Sequence, residues 1–172
     1  MKQKFKVAQL NSFIREDFVH LIGPVFEHSP WIAEATWVKR PFEDVEALHG
    51  SLCETVRAAG EEKQLALIRA HPDLVGRAAL EGSLTCQSSA EQASAGLDKL
   101  TEEEIASFQN SNQAYRDRFG FPFVICARLN KKEAILRGFR ERLKHSREEE
   151  IKTALEEIYK IAYLRLKDIL AT

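Results

Sequence analysis

Apolar residues three or four positions apart recur along most of this chain, and that spacing limits its fold more than any other feature. Ile14, Phe18, Ile22 and Val25 fall at intervals of four, four and three. Phe42, Val45, Leu48, Leu52 and Val56 continue the pattern as far as Gly60. A period near 3.6 gives a helix one apolar face. The punctuation agrees. Ser29-Pro30 reads as a cap followed by proline in the first turn of a helix through Trp31 and Ala35. Thr101-x-x-Glu104 and Ser146-x-x-Glu149 have capping-box form, and glutamates 148–150 suit the positive end of a helix dipole. Glu61 to Ala70 reads as a further short helix.

Two stretches resist this reading. Arg77 to Thr85, with Gly76 just before it and Gly82 within it, resists a helix. Phe121-Pro122-Phe123-Val124-Ile125-Cys126 puts a proline among aromatic and β-branched residues. Without a second strand to pair with, 121–126 is expected to lie extended and buried among helices. The expected fold is all-α: a single domain over 1–172, built as a bundle of about eight helices. A chain of 172 residues is long enough to bury roughly two thirds of its unfolded surface.

Charge and cysteine content exclude several functions. With 25 basic and 26 acidic residues there is no electrostatic footprint for nucleic acid. Apolar runs fall far short of the ~20 residues of a membrane span. The basic start Met-Lys-Gln-Lys-Phe-Lys lacks the apolar core of a signal peptide, and Leu170-Ala171-Thr172 is no peroxisomal address. Cys53, Cys86 and Cys126 are odd in number and unpaired in pattern, which points to reduced thiols in a cytoplasmic protein.

Three features could carry chemistry. In LIRAHPDLVGRAAL (67–80), the residue before proline is pushed out of the helical region, so the helix should stop near Ala70 and leave His71 on a stiff corner. His71 is then either a cap for the last carbonyls or a general acid, since imidazole titrates near neutral pH. His20, His28, His49 and His145 stand in less suitable places. The second feature is the run from Ser88 to Gln92. Ser88-x-x-Glu91 is a capping box that starts a helix, yet the small residues after Gln92 would also leave room for a ligand.

The third feature is in the last helix, where Ile151, Leu155, Ile158 and Ala162 mark a buried face whose phase continues onto Arg165. A guanidinium there needs an anion, either a buried Glu or Asp or a substrate carboxylate held by its planar fork. No metal is expected, because His71 and Glu91 supply only two ligands. No nucleotide cofactor is expected either, since HPDLVGR is no phosphate loop.

Together FEHSPWIAE (26–34), RPF (40–42), LIRAHPDLVGRAA, Ser88-Ser89-Ala90-Glu91-Gln92, AGLDKL, RFGFPFVICA and EIYKIAYLRLKDI resemble the 2-oxo-4-hydroxy-4-carboxy-5-ureidoimidazoline (OHCU) decarboxylases, from about Leu10 to Leu170. The resemblance implies a cofactor-free and metal-free all-α enzyme of urate breakdown that forms allantoin, usually as a homodimer. It implies His71 as the catalytic acid, with Glu91 beside it. Pro72, Ser88, Ser89, Ala90, Glu91, Gln92 and Arg165 would line the pocket, and the backbone of Phe123, Val124, Ile125, Cys126 and Ala127 would hold the ring. Fusion to or association with a urate oxidase is a further implication. Arg128-Leu129-Asn130 departs from the family, which often has glycine after the basic residue. Two rival readings remain: a hydrolase of a ureido or cyclic amide substrate, and a non-catalytic helical module that binds allantoin-like ligands.

Overall fold

A computed structural model describes residues 4–171. It contains ten α-helices and three short 3-10 turns among the described residues, with one isolated bridge, Phe5 to Leu170, and no strand. The all-α expectation holds, with more and shorter helices than the eight expected. No described helix is long and apolar enough to cross a membrane. The chain falls into two compact units, Met1–Ala70 with Tyr159–Thr172, and His71–Ile158.

The first unit contains α1 (Val7–Asn11), α2 (Arg15–Ile22), α3 (Trp31–Thr36), α4 (Val45–Ala58), α5 (Glu61–Arg69) and the end of α10 (Arg147–Ile169). Leu10, Phe18, Ile22, Ile32, Leu48, Leu52 and Val56 are fully buried, as their spacing requires. Two expectations at helix starts are corrected. Ile14 is not part of the apolar face: it is the extended N-cap of α2 and is largely exposed. Ser29 does not cap α3, because its hydroxyl donates to the Glu27 carbonyl at 2.9 Å and Pro30 takes the cap position. The RPF segment is fastened by polar groups. Arg40 donates to the carbonyls of Trp37, Asn11 and Phe13, while the Asn11 amide exchanges two hydrogen bonds with the backbone of Phe42.

The second unit contains α6 (Arg77–Leu80), α7 (Cys86–Ser94), α8 (Glu102–Phe119), α9 (Lys132–Arg142) and the first part of α10. Arg77–Leu80 was expected to be non-helical, but it forms one turn closed by Leu80 N–H to Gly76 O and Glu81 N–H to Arg77 O. Arg77 and Glu81 pair across that turn at 2.7 Å. The Thr101–Glu104 capping box is present at both ends, and α8 stops at Gly120 in the left-handed conformation, φ 78°. The Ser146–Glu149 box is also made.

After Gly120 the chain runs through 121–126 with no helix, and Phe121, Phe123, Val124 and Cys126 are buried. This is the extended buried segment expected from the sequence. Phe123 stacks on Phe139 with ring centres 3.8 Å apart, and Tyr115 meets Phe119, Phe121 and Phe123 edge-on or tilted. Helix α9 packs directly on this segment at Gly138, where a Cβ would lie in ordinary contact, 3.5 Å from Phe123 Cζ and 3.7 Å from Ile125 Cδ1.

Candidate active site

Helix α5 ends where proline chemistry says it should. Ala70 is its C-cap, and His71 follows outside the helix, buried at 7% exposure. The loop from His71 to Gly76 then makes a tight corner. Val75 has φ 53°, in the left-handed region that β-branched residues avoid. Gly76 lies so close to Asp73 that a Cβ would come within 2.6 Å of the Asp73 Cβ. Such a corner persists only if its surroundings over-determine it.

Three side chains do so. Gln92 on α7 accepts from Val75 N–H at 3.1 Å and donates to the Asp73 carbonyl at 3.4 Å. Asn112 on α8 donates to the Leu74 carbonyl at 2.8 Å. One turn later, Arg116 donates from Nε to both Asp73 carboxylate oxygens at 3.0 Å. The loop that starts at His71–Pro72 is thus fixed by α7 and α8, and the two motifs singled out from the sequence meet through Gln92.

The start of α7 needs a correction. The capping residue is Thr85, whose hydroxyl accepts from Ser88 N–H at 3.2 Å, so the helix begins at Cys86, earlier than the Ser88–Glu91 box implies. Ser88 is instead in the first turn and buried, Ser89 and Ala90 are exposed, Glu91 is half-buried and Gln92 is buried. Helix α7 packs against the 3-10 turn at Ala127–Leu129. Glu91 is near enough to the extended segment to act on its thiol. Burial chiefly, then the charges of Glu157 and Glu91, push the Cys126 thiol above its usual range.

The extended segment is itself held by charged groups. Arg142 donates from Nη1 to the Val124 carbonyl at 2.6 Å, and its guanidinium lies 4.2 Å over the Phe123 ring. Glu150, fully buried, accepts from Arg142 Nε at 2.9 Å and from the Tyr115 hydroxyl, and lies 2.8 Å from His145 Nδ1. Burial is the main cause that raises the Tyr115 hydroxyl well above its ordinary pKa. At the other end of the segment, Glu157 accepts from Cys126 N–H at 2.8 Å, and Asn130 donates to the Cys126 carbonyl at 3.0 Å.

Arg165 belongs to the first unit, where it is 5% exposed and has an anion of its own. Its Nη1 lies 2.9 Å from Glu27 Oε2, a carboxylate 3% exposed. Of the two alternatives for a guanidinium on the apolar stripe, the buried ion pair is therefore present.

Several of these residues escaped the sequence reading although a signal existed. Asn112 falls in phase between Phe108 and Tyr115 on the buried stripe of α8, a polar residue at a core position like Arg165. Arg142 follows Ile135 and Phe139 in the same way on α9. Among the described residues, no group of three or more His, Cys, Asp or Glu side chains could hold a metal ion.

The family model described as OHCU decarboxylase matches residues 11–167. The 2-oxo-4-hydroxy-4-carboxy-5-ureidoimidazoline decarboxylase of Halalkalicoccus jeotgali is 42% identical over 166 residues, which are 96% of this chain and 92% of that protein. The uric acid degradation bifunctional protein of Bacillus sp. strain TB-90 is 41% identical over 164 residues, 95% of this chain but 32% of that one. A crystal structure of (S)-allantoin synthase matches with a TM-score of 0.78 at 29% identity, over 97% of this chain. This chain spans about half of that structure, 55% of its length.

Proposed function

The chain belongs to the OHCU decarboxylase family, and from that premise we infer that it is a carboxy-lyase of urate degradation, releasing carbon dioxide from OHCU to form allantoin. The observation within the fold that best supports this reading is the Gln92 bridge. It ties the helix bearing Glu91 to the strained loop bearing His71, and so fixes two motifs that have no reason to be rigid in a merely structural turn. The reading takes 1–172 as one working domain, in keeping with a family match that runs through both compact units.

The chemistry asks little of the protein. Loss of carbon dioxide leaves an electron pair on C4, and the neighbouring C5=N bond of the ring can take it. As C4=C5 forms, the ring nitrogen takes a proton. The C4 hydroxyl becomes an enol or enolate that turns into the C4 carbonyl of allantoin as C5 is protonated. The enzyme then needs to hold the carboxylate out of the ring plane, stabilise the enolate and deliver one proton to one face. His71 is the proton donor in this reading, so that the allantoin formed has a single hand. Glu91 holds the substrate hydroxyl or orients His71, and the backbone of 123–127 holds the ring. General acid catalysis contributes about 10²–10⁴-fold, so positioning must supply much of the rest.

The resemblance also carries a homodimer, and the three cysteines without a pairing pattern favour a cytoplasmic location. The bifunctional Bacillus relative supports association with a second urate-pathway activity. The test is direct: add the protein to freshly generated urate-oxidation intermediate and follow circular dichroism and gas release. Rapid growth of one enantiomer with carbon dioxide is the expected result. A slow racemic product at the rate without protein would refute the reading, and ring-opened product or ammonia without carbon dioxide would favour a hydrolase.

A further inference from the structure

Residues 124–126 are gripped at two neighbouring peptide groups by charges of opposite sign. Arg142 takes the carbonyl of Val124, and Glu157 takes the N–H of Cys126. Both peptide units are trans, so within each the C=O and N–H point in opposite directions. In an extended run, the N–H and C=O of one residue face the same edge, and those of its neighbours face the other. Two extended strands trade paired hydrogen bonds in this way. The two groups held by Arg142 and Glu157 both belong to the edge opposite Ile125's own N–H and C=O. Ile125 is also the one half-buried residue between Phe121 and Ala127, a run otherwise buried.

We infer that Arg142 and Glu157 are positioning residues that turn the Ile125 amide pair outward as a fixed donor and acceptor for the N–H–C=O unit of a cyclic ureide. This rests on the reading that the extended segment lines the substrate site. The clamp suits the task. A carboxylate accepting an N–H and a guanidinium donating to a carbonyl are charge-assisted bonds, stiffer than neutral ones. Arg142 is itself fixed by Glu150 and by the faces of Phe123 and Tyr115, so it cannot follow a shifting backbone. The end of the Ile125 side chain lies next to Gly138 of α9, where a Cβ would stand 3.7 Å from its Cδ1. A donor–acceptor pair set in this way selects for ring amides with a free N–H, since a substrate that cannot complete the pair leaves a polar group unmatched.

The experiment compares wild type, Glu157→Gln and Glu157→Ala. The probes are hydantoin and its two N-methyl derivatives, titrated against 15N-labelled protein, with turnover of OHCU measured in parallel. Wild type is expected to bind hydantoin about tenfold more tightly than at least one N-methyl derivative, with the Ile125 amide resonance moving on binding. Glu157→Ala should abolish that preference and raise KM about tenfold with kcat changed less than about twofold. Glu157→Gln, which keeps an acceptor for Cys126 N–H, should recover both. Arg142→Lys, read by the same ratio, tests the other half of the clamp, and a variant that fails to fold leaves the Glu157 pair decisive. Equal affinity of wild type for all three probes, or a preference kept by Glu157→Ala, overturns the inference. Failure of wild type to release carbon dioxide would instead strike the proposed function, and the probe preference would still report on the clamp.

Discussion

The side-chain oxygen of Gln92 accepts the N–H of Val75 at 3.1 Å, across 17 positions of sequence and inside the buried part of the second unit. The same amide donates to the Asp73 carbonyl. Removing one partner of a buried hydrogen bond costs more than the bond contributes, because the remaining group is left desolvated, about 1–3 kcal/mol. Gln92→Ala should therefore lower stability by about 2 kcal/mol in urea unfolding. It should lower turnover as well, by releasing the strained loop. Wild-type turnover in a destabilised Gln92→Ala protein would separate loop rigidity from catalysis.

His71→Ala should keep the helical circular dichroism of the wild type and lose at least about 10²-fold in turnover. The residue stands outside α5, so its replacement leaves the backbone hydrogen bonds of that helix in place. Steady-state rates with OHCU check this, and near-normal turnover would remove His71 from the mechanism.

Glu91→Gln keeps the shape of the side chain and removes its charge. Because Thr85 caps α7, Glu91 has no capping duty, and the substitution should shift the melting temperature by less than a few degrees. A large fall in kcat/KM with that small shift is expected. Calorimetry and kinetics on the same preparation would show it.

Arg165 and Glu27 make a separable test. Glu27→Leu strands a buried guanidinium and should cost about 3–5 kcal/mol in chemical unfolding. Arg165→Lys keeps an ion for Glu27 but loses the planar fork. A rise in KM of about tenfold in Arg165→Lys would assign it to substrate carboxylate binding as well. Unchanged KM and kcat would confine Arg165 to the ion pair.

Burial raises the Cys53 thiol from 9.0 to about 11. A group whose folded pKa lies above its unfolded one favours folding in full below the unfolded value, and that benefit disappears as pH rises through the folded one. Stability should fall between pH 9 and pH 11, by about 2 kcal/mol from this group. The raised Cys126 thiol adds loss in the same direction. In melting curves across that range, Cys53→Ala should show a shallower slope than wild type.

The sequence revealed the helical class, both capping boxes that frame α8 and α10, the extended character of 121–126 and the stop at Ala70. Each is a local effect, set by period, proline or cap, and local effects survive folding. What it hid depends on distant partners. Thr85 outcompeted Ser88 for the start of α7, although both are hydroxyl residues three positions from an N–H donor. The short helix at Arg77–Leu80 escaped because four residues carry too little periodicity to register. Arg165 betrayed its need for an anion, but Glu27 as the answer lies 138 positions away and follows only from the fold.

Gly76 has a consequence for anyone who would redesign this protein. Its missing side chain leaves the gap that lets Asp73 fold back on the loop, and no other amino acid can vacate that space. A saturation library spanning the histidine loop, sorted for expression alone, should return glycine at position 76 as firmly as one sorted for allantoin production. At that position tolerance is decided by the corner itself, before any chemistry is asked of it.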